Sequence, residues 1–179
     1  MLPLIVDFIN LLLSALLVGA LFCVQLVFNP TGLDAALYIT LQQTGIRTLH
    51  PIMPKLGALT ILATLVAAVV ARDSRLRMSM LIAAAICFVA AGLITRFRNQ
   101  PINAIVKSWD SATPPDIWTK LRDAWWRWNS VRLSTSLVGL ALVIAAALTR
   151  NSQHVPPEIA STYSRSVFEA LLRVAYLLA

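Results

Sequence analysis

The sequence is poor in charged residues, which make up only 13% of its 179 positions, whereas an average soluble domain has about 25%. Hydrophobic residues account for 58% of the chain. So small a share of charge argues against an ordinary water-soluble fold. The length favours a single domain.

Metal and disulfide patterns are missing as well. The two cysteines, Cys23 and Cys87, each lie within an apolar run, and there is no CxxC and no Cys/His ligand spacing. Both are therefore predicted to be packing residues. The sequence also lacks a Glu-x-x-His motif, twin inward histidines and a phosphate-binding loop, which disfavours di-iron, haem-pair and nucleotide chemistry.

The net charge is +7, from 15 Lys and Arg against 8 Asp and Glu. In a soluble protein this excess would raise the question of nucleic acid binding. In so apolar a chain it predicts basic loops beside anionic membrane lipids, with no nucleic acid partner.

Four apolar stretches are long enough to cross a bilayer, and they cover residues 4–28, 52–71, 78–97 and 131–149. The first lacks the basic region of a signal peptide and is too long for one, so it is predicted to be a retained helix. The sequence therefore predicts an all-α fold, an integral membrane four-helix bundle in a domain spanning 1–150. The protein is expected to be a multi-pass membrane protein.

The loop between the third and fourth spans, at about 98–130, is long and holds every tryptophan. Within it Thr113-Pro114-Pro115-Asp116 predicts a helix start, with threonine as N-cap and an acid in the first turn. Because no helix breaker follows, the fourth helix is predicted to begin outside the lipid and to run into it without interruption.

The C-terminal residues 151–179 are predicted to form a linker and an amphipathic helix that lies on the membrane interface. The short loop at 72–77 is rich in arginine, and short basic loops are the most informative for orientation. We therefore expect both termini to be cytoplasmic, although a raw count gives more cations on the opposite side.

Polar residues within the spans are the best functional evidence, because polar groups in lipid usually face the bundle interior or a cavity. At the head of the fourth span Trp125, Trp128, Asn129 and Arg132 share one face with the smaller residues that follow them. The small residues are typical of helix packing. Arg132 beside Asn129 needs a polar partner, and both a structural and a functional role are open.

A second amide pair lies after the third span. Asn99 and Asn103 are four positions apart, with Pro101 between them, and Arg96 precedes Asn99 by three positions. The three polar side chains can share a helical side. The asparagines either satisfy backbone groups freed by a kink at Pro101 or project amides into the mouth of a pocket.

The tryptophans and one histidine complete the candidate site. The tryptophans form either an interfacial belt or a wall for a flat, apolar ligand. His50 is placed to act as a base, although a lone histidine is more often a capping or hydrogen-bonding residue. A third interpretation makes His50 a ligand of haem or a metal.

The motifs Asn99-x-Pro101-x-Asn103 and Trp125-x3-Asn129-x2-Arg132 resemble those of small four-span membrane proteins that include the anthrone oxygenases, a family that is largely a domain of unknown function. The similarity covers roughly residues 5–149. It implies a helical bundle with a pocket at the end that carries the first and third loops. For the named members it implies cofactor-free oxidation of an anthrone to a quinone by dioxygen.

The sequence and the resemblance together predict a membrane-embedded oxygenase that acts on a lipophilic aromatic substrate, anthrone-like or polyketide-like, with dioxygen and without a cofactor. The predicted catalytic residues are His50, Asn103, Asn129 and Arg132, and the predicted substrate-binding residues are Arg96, Asn99, Trp109, Trp125 and Trp128. One alternative is a non-catalytic membrane protein that binds a lipid, a quinone or a partner helix. The other is a haem or metal protein that uses His50.

Overall fold

The computed structural model describes residues 1–30 and 32–149. In this part of the chain every regular element is helical, which confirms the all-α prediction. The helices are α1 (Leu2–Val27), α2 (Ala35–Leu49), α3 (Met53–Val70), α4 (Arg75–Ile94), α5 (Gln100–Val106) and α6 (Trp118–Thr149), and a π-helical turn at Thr95–Asn99 joins α4 to α5.

Four helical segments are long and apolar enough to cross a membrane: α1, α3, the continuous run Arg75–Val106, and α6. They correspond to the four predicted spans. Large apolar side chains such as Phe8, Leu62 and Ile86 are more than half exposed on their outer surfaces, as expected where lipid is the solvent. The described chain is thus a multi-pass helical membrane protein.

The bundle core is built mainly from small and aliphatic side chains. α3 packs against both α1 and α4, and fully buried alanines such as Ala67 and Ala84 allow the backbones to approach closely. Helix α6 approaches α4 at Gly139, where an added Cβ atom would lie 2.9 Å from Cε1 of Phe88.

Two polar residues of α1, Asn10 and Ser14, face the interior of the bundle. The Oγ1 of Thr64 donates a hydrogen bond to Oδ1 of Asn10 at 2.7 Å inside the bundle. Asp7 forms an ion pair with Arg77 of α4, with 2.9 Å between Oδ2 and Nη2. These contacts satisfy polar groups that would otherwise face hydrocarbon.

Helix α2 lies within the first loop and was not predicted from hydropathy. Asp34 caps it, because its Oδ1 accepts a hydrogen bond from the backbone N–H of Leu37 at 2.8 Å. Tyr38 and Ile39 are buried. Gly45 lies so close to the ring of Phe28, at the end of α1, that a side chain there would overlap it.

Helix α4 continues through the π-helical turn into α5. The backbone N–H of Gln100 bonds to the carbonyl of Thr95, five residues earlier, and Pro101, which has no N–H, follows at once. The wide turn accommodates the missing donor, and such single π turns are frequent at functional sites.

The predicted helix start at Thr113 is wrong. Asp110 instead organises a turn, accepting hydrogen bonds from the N–H of Ala112 at 3.0 Å and from Oγ1 of Thr113 at 3.3 Å. Because the Thr113 side chain is engaged in this turn, α6 begins only at Trp118. From there it runs unbroken for 32 residues, about 48 Å, so the predicted continuity is confirmed.

The predicted linker and amphipathic helix at 151–179 lie outside the described residues.

Candidate functional site

Two adjoining cavities lie at the end of the bundle where α1 finishes, between α2, α5 and the head of α6. The inner cavity has a volume of about 70 Å³, and we call the outer one, of about 400 Å³, the vestibule. They share lining residues and therefore lie side by side. The shared residues are Ile46, His50, Gln100 and Asn103.

The inner cavity lies at the ends of two predicted spans. Helix α4 has 20 residues from Arg75 to Ile94, about 30 Å of rise, a length sufficient to cross the hydrocarbon. Thr95, the next residue, lines the inner cavity together with Arg132. Thr95 falls near the end of the predicted third span and Arg132 near the start of the fourth.

Arg132 is the only arginine that lines the inner cavity among the described residues. Its Nη2 donates to Oδ1 of Asn129, its Nη1 donates to Oγ1 of Thr95 at 3.4 Å, and its Nε is buried without a partner. Both partners are neutral. The described residues thus place no carboxylate against this guanidinium, whose positive charge is left uncompensated.

A chain of hydrogen bonds fixes Arg132 from behind. Nδ2 of Asn129 donates to Oε1 of Gln25 in α1, and Nε2 of Gln25 donates to Oγ of Ser130 at 2.9 Å. Asn129 is fully buried and lines neither cavity. Asn129 is therefore placed to position the side chain of Arg132.

Helices α2 and α5 meet through a pair of amides in the cavity wall. Nε2 of Gln42 donates to Oδ1 of Asn103 at 3.1 Å, and Gln43 donates to the carbonyls of Val106 at 3.1 Å and of Trp109 at 2.8 Å. Gln43 therefore caps the end of α5 and holds it against α2.

Three buried polar atoms on residues that line the inner cavity have no hydrogen-bond partner. They are the Nε of Arg132, the indole Nε1 of Trp125 and the Oε1 of Gln42. Unpaired buried polar groups are rare and costly in folded proteins. Two donors and one acceptor are thus buried and unpaired on residues that line one cavity.

Of the nine predicted site residues, the structure brings four together at the inner cavity: His50, Asn103, Trp125 and Arg132. Asn99 is buried behind it, where its Nδ2 donates to the carbonyl of Trp125 at 3.3 Å. Arg96 is exposed and reaches the site only through Oε1 of Gln100, at 3.2 Å.

The tryptophans do not form one wall. Trp125 lines the inner cavity and packs against Phe28, with 6.0 Å between ring centroids. Trp128 instead lies beneath the guanidinium of Arg98, at 4.7 Å, and Trp109 packs in the apolar cluster around Val106. Only Trp125 is therefore placed to touch a molecule in the inner cavity.

His50 ends α2 and lines both cavities, with its side chain exposed. No group of three or more His, Cys, Asp or Glu side chains among the described residues could hold a metal ion. In that part of the chain His50 therefore belongs to no cluster of three such side chains.

Tyr38 is buried in helix α2, with its ring centroid 6.0 Å from that of Trp118. Burial raises the pKa of Tyr38 to about 12, and the nearby charge of Arg122 only partly offsets this. The phenol therefore stays neutral at physiological pH.

Gln42 and Thr95 were missed by the sequence interpretation. The signal for Gln42 was the N-cap at Asp34 followed by Tyr38, Gln42 and Gly45 at helical spacing. The segment lacks the apolar length of a span, so hydropathy alone passed over it.

Four apolar helices, with short helices and two cavities at one end, define a multi-pass helical membrane protein with a pocket at that end. The family model described as anthrone oxygenase matches residues 43–142, more than half of the chain, and the chain belongs to the anthrone oxygenase family. The match runs from the second half of α2 into α6 and is narrower than the resemblance noted above. No curated protein and no solved structure matches the chain.

Proposed function

We propose that the protein is a membrane-embedded oxygenase that converts a lipophilic aromatic carbon acid of the anthrone type to a quinone with dioxygen. The observation that carries this proposal is the buried guanidinium of Arg132 at the inner cavity, with neutral partners and a free Nε. Membership of the anthrone oxygenase family supports it.

The guanidinium supplies the electrostatic part of the mechanism. An anthrone loses a proton from carbon to give an enolate, and the negative charge develops on its oxygen. The Nε–H of Arg132 and the indole N–H of Trp125 are donors with no other partner. Such preorganised donors act strongly where water is excluded, and the enolate would compensate the buried positive charge.

His50 is the proposed base, since it lies at the boundary between the two cavities and imidazole is the side chain most often used for proton transfer. After proton loss, the electron-rich enolate passes an electron to dioxygen and the resulting radicals combine to a peroxide. Loss of water then leaves the second carbonyl. One oxygen atom enters the quinone, the other leaves as water, and all four electrons come from the substrate carbon.

The sizes of the cavities define how the substrate would bind. A water molecule needs roughly 10–15 Å³ measured in this way, so the inner cavity of about 70 Å³ accepts the reacting edge of a ring system and no more. The vestibule, at about 400 Å³, lies within the range of small-molecule sites and would hold the remaining rings.

The test compares Arg132→Leu with Arg127→Leu, an exposed arginine on the same helix. The purified protein in detergent is given anthrone, and anthraquinone formation and oxygen uptake are followed. Arg132→Leu should lower the rate by about 100-fold or more, the usual cost of losing an oxyanion donor, and Arg132→Lys should also fail because it lacks Nε. A wild-type rate in Arg132→Leu would refute the proposal.

A second candidate is binding of a quinone or lipid without turnover. The exposure of His50 favours it, because a base open to water is poorly placed to work in a dry site. Saturable quenching of tryptophan emission by anthraquinone, lost in Trp125→Phe and kept in Trp126→Phe, together with no anthrone oxidation, would establish this candidate instead.

A further inference from the structure

The vestibule is lined by cations on two of its walls. Arg47 belongs to α2 and Lys107 ends α5, and both side chains are exposed. No carboxylate lines this cavity among the described residues. The only side-chain partner of Arg47 that the structure shows is Oγ1 of Thr44, a neutral group at 3.5 Å.

The carboxylates at this end of the molecule are largely engaged elsewhere. Asp34 caps α2, Asp110 holds its own turn, and Asp123 pairs with Arg122 at 2.8 Å. Arg47 and Lys107 therefore form a local excess of positive charge around a cavity rather than half of an ion-pair network. Cations that line a cleft concentrate anions within it.

The vestibule adjoins the inner cavity, where Arg132 carries a further unneutralised charge. Four residues are common to both linings, so the two cavities are close enough to take the two ends of one ligand. A ligand whose reacting carbonyl lies at Arg132 would place its far end between Arg47 and Lys107.

We propose that the vestibule binds a carboxylate carried by the aromatic substrate at the end opposite its reacting carbonyl, with Arg47 and Lys107 as the recognising residues. The orientation of the ligand rests on the proposed function, which assigns the carbonyl end to the inner cavity. The substrate class is thus an anionic, carboxylated aromatic rather than a purely neutral one.

A lipid headgroup is the other source of negative charge at this depth. The four shared lining residues favour the substrate, because one molecule then contacts both the vestibule and the inner cavity that Arg132 and Trp125 line.

The experiment measures affinity by quenching of tryptophan emission in the full chain, reconstituted in phosphatidylcholine vesicles. Two probes are compared: an anthraquinone with one carboxylate, and an anthraquinone with a methyl group at the same position. The test variant is Arg47→Gln with Lys107→Gln. The matched control is Lys55→Gln with Lys120→Gln, which removes two exposed charges from the same end outside the vestibule.

The wild type should bind the carboxylated probe about fivefold more tightly than the methyl probe, which is the effect of two exposed ion pairs. The test variant should lose this preference while binding the methyl probe as before, and the control should keep it. An unchanged preference in the test variant, or an equal loss in the control, overturns the proposal.

Phosphatidylglycerol distinguishes the two sources of the anion. If its headgroup occupies the vestibule, adding it should weaken binding of the neutral methyl probe to the wild type and not to the test variant, and this result overturns the proposal. This outcome can be distinguished from that of the anthrone oxidation assay. A charge-dependent preference without oxidation would contradict only the proposed oxygenase function. Oxidation without the preference would contradict only the proposed carboxylate site.

Discussion

Arg132 illustrates how a charged side chain near a membrane can be held without being neutralised. Its two terminal nitrogens bond to the oxygens of Asn129 and Thr95, and its Nε is left over. Neutral partners orient the guanidinium but do not cancel its charge, so an anion remains the group that best completes it. The surrounding amides thus position the charge for a ligand.

We expect Asn129→Asp to separate stability from function. A carboxylate there would form an ion pair with Arg132, and Gln25 could turn its amide over to donate to it. The thermal midpoint should stay close to that of the wild type. The rate of anthrone oxidation should fall by about 100-fold, because the new carboxylate neutralises the positive charge of Arg132 that would otherwise stabilise the enolate. Unfolding by differential scanning fluorimetry and the oxidation assay provide the two readouts.

The same substitution at Asn99 serves as the contrast. Asn99 is equally buried, but its Nδ2 bonds to a backbone carbonyl and no cation is bonded to it. Asn99→Asp should therefore lose about 3 kcal/mol of stability as an unpaired buried charge. An Asn129→Asp variant that is fully active, or as unstable as Asn99→Asp, would contradict this account of Arg132.

The sequence located Arg132, Asn103 and Trp125 because polar and aromatic residues stand out at the end of an apolar helix. It could not show that Asn129 lies behind Arg132 rather than beside the cavity, since both positions share one face of α6. Gln42 could not be predicted for a different reason: its hydrogen bond to Asn103 depends on a long-range contact between helices α2 and α5.

At the scale of elements, the packing of α6 on α4 depends on a missing side chain. Gly139 lies against the ring of Phe88, and a Cβ atom there would be within 2.9–3.2 Å of three ring atoms. Phe88 is itself buried, at 2% exposure, so its ring has little room to yield. This contact sets how closely the two helices approach.

Gly139→Ala should therefore destabilise the bundle by about 1–3 kcal/mol through overpacking. Gly92→Ala in α4 is the matched control, because nothing lies within 4 Å of an added Cβ there, and it should be neutral or slightly stabilising. Unfolding in mixed micelles with increasing dodecyl sulfate measures both. Equal stability of the two variants would show that the ring of Phe88 moves aside freely.

The helices that hydropathy identifies were predicted well, and those that depend on side-chain contacts were not. Long apolar runs leave few alternatives to a spanning helix. The start of α6 was misplaced because Asp110 competes for the Thr113 side chain. The π-helical turn was foreshadowed only by Pro101, which indicates a disturbance but not its form.

At the scale of the whole molecule, both ends of the bundle carry cations, but in loops of different length. The cavity end has the cations of the vestibule, and the other end has Arg72 and Arg75 in or beside a short loop, with Arg77 paired to Asp7. We propose that this second end, which also carries the N-terminus, is cytoplasmic, since short basic loops are retained there. The cavity would then face the opposite side.

Cysteine labelling tests this orientation. The native Cys23 is exposed on α1, so the prediction that it is a packing residue is wrong, and Cys87 is half-buried on α4. Because both lie within predicted spans, a membrane-impermeant maleimide should label neither in intact cells. In a chain with both replaced by alanine, Ser108→Cys should be labelled from outside and Ser74→Cys only after permeabilisation. The reverse labelling pattern would show that the orientation is opposite to the one proposed. Labelling of a native cysteine in intact cells would show that the helix segment around it does not lie within the membrane.

The residues that hold Arg132 all precede it in the sequence, and so they are synthesised first. Arg132 bonds to Thr95, which precedes it by 37 positions, and to Asn129. Asn129 in turn bonds to Gln25 in α1. At about 5–20 residues per second, the ribosome delivers Thr95 a few seconds ahead of Arg132. The oxygens that accept hydrogen bonds from the guanidinium are therefore synthesised before Arg132, so the order of synthesis lets the last helix dock onto acceptors that are already made.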